Sequence, residues 1–151
     1  MALRIKYYLR ISVIGNDNIF KMNNVPFAFS DKLDREFLFN IYENDNEHAS
    51  MIFEKFLQTA PRLMDEIDAC FATGNVESFR QKVHKLKPSF SFVGLTKLTT
   101  EAESLEKGCL ETSDINDVAL AYVVLKNHYE ENYPIIQNEL QRLKEQINIT
   151  L

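Results

Sequence analysis

From Ser30 onward every periodic stretch repeats its apolar residues at spacings of three and four, the signature of helices with one apolar side. Such a chain has to bury those stripes against one another, because a single amphipathic helix has nowhere else to hide its apolar side. The first stripe, Leu33, Phe37, Leu38 and Ile41, predicts a helix capped by Ser30 or Asp31 and ending near Tyr42. A longer one, Ile52, Phe53, Phe56, Leu57, Ala60, Leu63, Met64, Ile67 and Phe71, predicts a helix over 47–72, which Pro61 is expected to bend or break. Gly74 is the natural stop, and Asn75 the natural cap of the next helix. There Phe79, Val83, Leu86, Phe90 and Val93 follow at spacings of four, three, four and three, a heptad seam.

A fourth helix is expected over 96–107, with Leu98, Ala102 and Leu105 inward, an acidic opposite side, and Gly108 as its stop. The last, over 115–147, should turn Val118, Ala121, Leu125, Ile136, Leu140, Leu143 and Ile147 inward and kink at Pro134. Short connections between long amphipathic helices favour antiparallel neighbours. The expected fold class is therefore all-α, an up-and-down antiparallel four-helix bundle over 30–151 with an additional N-terminal helix.

Residues 1–29 read differently. Leu3, Ile5, Tyr7, Leu9, Ile11 and Val13 alternate with Arg4, Lys6, Arg10 and Ser12, a strand pattern without a partner strand later in the chain. Three readings stay open: a strand paired across a dimer, a segment docked on the bundle, or a leader outside the working domain. "NDNIFKMNNVPFAF" is turn-rich and reads as a linker. A monomer is expected, with a dimer through the N-terminal segment as the alternative.

With 151 residues, of which 45% are hydrophobic and 26% charged, the chain has the make-up of one ordinary folded domain. Its net charge of −5 argues against a nucleic-acid partner and leaves a protein partner as the better reading. No apolar run approaches the ~20 residues that cross a bilayer, and Arg4, Lys6 and Arg10 interrupt any export signal, so the cytoplasm is the expected location. Cys70 and Cys109 lack metal-ligand spacing and read as buried free thiols. Glu101, Glu103 and Glu106 read as a solvated acidic side, His48 and His128 as structural or surface residues, and no metal site is expected.

The candidate chemistry lies beside the seam of the third helix. Stepping about 100° per residue places Arg80, His84, Lys87 and Ser91 on one flank, with His84 exposed and Pro88 at the flank's outer edge. Two adjacent cationic groups serve a passive surface poorly and a phosphoryl group well, since a neutral imidazole is a nucleophile and an ammonium steadies phosphoryl oxygens. Pro88 withholds the amide that would bond the His84 carbonyl, and it leaves room beside the ring. Phe92 points away from the seam, as a docking residue would.

The stretch "HKLKPSFSFVGLTKLTTEAESLE" resembles the signature of histidine-containing phosphotransfer (HPt) domains, through His84, Leu86, Lys87, Ser89, Gly94, Leu98, Leu105 and Glu106. Pro88 stands where the family usually has glycine. The resemblance implies a phosphorelay intermediate in two-component signalling, in which His84 accepts and surrenders a phosphoryl group and Lys87 stabilises it. Arg80, Pro88, Ser91 and Phe92 would then meet the partners. Those partners would be receiver domains of hybrid histidine kinases and response regulators, which supply the magnesium and the acidic pocket. The family has no kinase activity of its own, and the scattered Gly15, Gly74, Gly94 and Gly108 cannot build a nucleotide loop. A bundle that binds receivers without being phosphorylated is the alternative.

Overall fold

A computed structural model describes residues 26–150. Five helices follow in order: α1 Arg35–Tyr42, α2 Asn46–Thr73, α3 Val76–Phe92, α4 Thr96–Leu110 and, after a 3-10 turn at Ile115–Val118, α5 Ala119–Thr150. Residues 3–13 lie outside the described residues, and with them the question of a dimer.

The contacts between helices set their directions. On α2 and α5, Glu54 pairs with Lys144, the Leu57 carbonyl with Tyr133, and Asp68 with Lys126, so one helix descends as the other climbs. The same reversal holds for α3 and α4, where Ser91 meets Thr99 and Lys87 meets Glu106. Phe56 packs on Phe90 and Phe71 on Phe79, which sets α2 antiparallel to α3. Phe53, Phe79, Phe90, Leu86, Leu105, Leu125, Ile136 and Leu143 fill the space between the helices.

Several local expectations are corrected. The cap of α1 is Asp34, which accepts from the Phe37 amide at 3.0 Å, and not Ser30 or Asp31. Asp34 also donates its own amide to the Gly94 carbonyl and accepts from the Thr96 hydroxyl, so tertiary bonds fix the start of the helix. Pro61 neither breaks nor ends α2. The Leu57 carbonyl, which loses an amide donor to Pro61, accepts from the Tyr133 hydroxyl at 3.2 Å instead. Pro134, the expected kink, lies inside α5.

Gly108 does not stop α4, which runs on to Leu110. A Cβ there would stand 3.3 Å from Val118, so glycine serves close packing against the turn that enters α5. The inward stripe of α5 is Tyr122, Leu125, Tyr129, Ile136 and Leu143, while Ala121 faces solvent. Tyrosine satisfies both requirements of that stripe, since the Tyr122 ring packs on Phe79 and its hydroxyl donates to Asp68. Glu139, 1% exposed, sits among these apolar residues and accepts from the Ser30 amide at 2.7 Å and from Arg142. That anchor holds Phe29 in the core, beside Phe53.

Candidate functional site

Asn75 starts α3 by accepting from the Ser78 amide at 2.9 Å. The helix ends in a tight turn, where the Leu95 amide reaches back to the Phe90 carbonyl and Gly94 adopts φ +78. A Cβ at Gly94 would stand 2.7 Å from Leu38 Cδ1, so both backbone and space require glycine. This turn returns α4 along α3 and brings Glu106 to the flank of His84.

There the imidazole is exposed, at 64% of its side-chain surface, whereas the Glu106 side chain is 14% exposed. His84 Nδ1 lies 2.7 Å from Glu106 Oε1, and Lys87 Nζ donates to Oε2 at 2.8 Å. The Arg80 guanidinium stands 3.6 Å from Oε1, although its fork is spent mainly on Glu77, at 2.8 and 2.7 Å. The hydrogen bond from Lys87, reinforced by His84, holds the Glu106 carboxyl below the usual glutamate range in spite of partial burial. Arg80 and Gln81 hold Glu77 down at about 2.

An ionised carboxylate can only accept, so the neutral imidazole carries its hydrogen on Nδ1 and its lone pair on Nε2. Nε2 has no hydrogen-bond partner among the described residues. The flank thus presents a nucleophilic nitrogen to solvent, with two cations and one carboxylate behind it.

Of the residues singled out from the sequence, Arg80, His84 and Lys87 converge on Glu106. His84 and Lys87 bind separate oxygens of Glu106, so the carboxylate joins the imidazole and the ammonium on one flank. Ser91 is turned toward α4, its hydroxyl 2.7 Å from that of Thr99. Pro88 and Phe92 stay exposed, Phe92 to 49%, and α3 runs unbroken through Pro88.

Glu106 departs from the solvated acidic side expected of α4. Its neighbour Leu105 is buried, which sets Glu106 at the edge of the packed stripe, where Arg80 and Lys87 need a counter-charge. Glu101 is also engaged, with His128, and only Glu103 keeps the solvated character expected of all three. Cys109 is buried and burial raises its thiol; Cys70 is only partly buried. Among the described residues, no three His, Cys, Asp or Glu side chains gather as metal ligands, and no helix is long and apolar enough to cross a membrane.

The Hpt domain family model matches residues 51–146, from the first turns of α2 to near the end of α5. The chain belongs to the Hpt domain family. Comparison with curated proteins and with solved structures gives no match. Hpt domains are helical bundles that carry out histidine phosphotransfer in two-component signalling, and they interact with receiver domains. Helix α1, which packs beside Gly94, lies outside the matched residues.

Proposed function

We propose that this Hpt domain relays a phosphoryl group between receiver-domain aspartates through His84. The observation that carries the reading is the placement of Glu106, which pins Nδ1 and leaves Nε2 exposed. Nε2 attacks the phosphorus of a receiver's aspartyl phosphate. As the N–P bond forms, the P–O bond to the aspartate breaks, and its electron pair stays on the departing carboxylate. The ring is left as a phosphorylated imidazolium whose positive charge is shared with Glu106 through the Nδ1 hydrogen. A second receiver's aspartate reverses the step.

Lys87 lies on the far oxygen of Glu106 and provides the ammonium for the phosphoryl oxygens, with Arg80 adding positive potential behind it. Pro88 and Phe92 form the exposed rim on which a receiver seats, and Ser91 ties that rim to α4. Magnesium belongs to the receiver's acidic pocket, and the bundle contributes a positioned nucleophile.

One observation favours a second reading. Pro88 leaves the His84 carbonyl without a helical amide donor in the position where the family usually carries glycine, which fits a bundle that binds receivers without accepting phosphate. Incubating the native chain, His84→Gln and Lys87→Ala with a panel of phosphorylated receiver domains separates the two. Acid-labile, base-stable label on the native chain and none on His84→Gln is the expected result. Receivers that bind and never label the native chain would establish the adaptor instead.

A further inference from the structure

Helix α4 offers a second carboxylate to a second histidine. Glu101 faces α5, where both of its oxygens lie 2.9 Å from His128 Nδ1, as Glu106 faces α3 and His84. Five residues along a helix amount to a turn of about 140°, which is how one helix serves two neighbours. Lys97 Nζ stands 3.8 Å from Glu101 Oε1, so this carboxylate too has a lysine beside it. Among the described residues His128 Nε2 has no hydrogen-bond partner and no buried side-chain nitrogen or oxygen lacks one, so Nε2 reaches solvent. Asn132 donates to the backbone carbonyl of His128 at 2.8 Å and not to its ring.

We infer that His128, positioned by Glu101, is a second phosphoryl-accepting histidine, served by small-molecule phosphoryl donors. The ring is 29% exposed against 64% for His84, enough for a small donor and too little to enter the recessed pocket of another protein. With a phosphoramidate, Nε2 attacks phosphorus as the P–N bond of the donor breaks. The donor nitrogen is already protonated at neutral pH, so the electron pair of the broken bond leaves on it as ammonia, and the imidazolium formed is stabilised by Glu101. This inference does not depend on the role proposed for His84, and mapping the label residue by residue keeps the two apart.

The chain has three histidines, and the third is an internal control. His48 is exposed, but its ring stands perpendicular to that of Tyr42, with centroids 5.4 Å apart, and no carboxylate among the described residues bonds its ring. The test is to incubate native protein, His84→Gln, Glu101→Gln and Glu106→Gln with phosphoramidate and to follow label at each histidine by mass spectrometry under basic conditions, with circular dichroism to confirm the fold. Label at His128 is expected in both the native protein and His84→Gln; in Glu101→Gln it is slowed about tenfold while His84 labels at its native rate, and Glu106→Gln acts at His84 alone. Absence of label at His128, or labelling of His48 as fast as His128, would overturn the inference, since the carboxylate would then confer nothing.

Discussion

Along α3, Phe79, Val83, Leu86 and Phe90 are sealed from solvent, with Phe79 and Phe90 packed on aromatic rings of α2 and α5, whereas Arg80, His84 and Lys87, one step round the same helix, share a single carboxylate of α4. On the first face, shape decides: a buried ring is worth what its removal leaves empty. On the second, charges near solvent contribute little to stability, and their value lies in which nitrogen they leave exposed. One helix therefore carries a stability function and a chemical function on separate residues. Substitutions should separate them.

The largest effect is expected at Phe90, which is fully buried between Phe56 and Tyr129. Phe90→Ala should lower unfolding free energy by about 3–5 kcal/mol in denaturant titrations, while the remaining folded molecules label at His84 as before. Gly94→Ala should cost about 2–4 kcal/mol by the same titration, from a strained positive φ and the clash with Leu38. Lys87→Ala tests the other face: phosphotransfer should slow by about 10²-fold with a nearly unchanged melting temperature. If its loss of stability matched that of Phe90→Ala, the two faces would not be separable.

The smallest effect concerns pH. Glu106 is held below the ordinary glutamate range by Lys87 and His84, so its contribution to stability is full above that range and lost only as pH falls through the depressed value. The stability difference between native protein and Glu106→Gln should thus stay constant near neutral pH and shrink only below about pH 4. A difference that already vanished near pH 6 would place the controlling titration elsewhere.

The seam and the flank of α3 were both legible in the sequence because a single helix has a fixed angular step. What lay between helices was not. The period of α4 shows that Leu98, Ala102 and Leu105 turn inward, but not which neighbour receives Glu101 or Glu106. Pro61 announces a missing amide, and only the fold supplies the Tyr133 hydroxyl that compensates for it. Tyr122 and Tyr129 fall outside the stripe expected of α5, and their inward place follows from the rings of Phe79, Phe56 and Phe90 packed on them; the buried Glu139 is intelligible only with Ser30 and Arg142 beside it. Gly94 was found by resemblance, and its physical reason, the approach of Leu38, comes from α1.

The most direct test of the central claim is to label the ring nitrogens with ¹⁵N, phosphorylate the chain from a receiver domain, and read the phosphorus coupling by NMR. The expected result is phosphorus on Nε2 of His84 with the Nδ1 hydrogen retained toward Glu106. Phosphorus on Nδ1 of His84, or on another residue altogether, would contradict it.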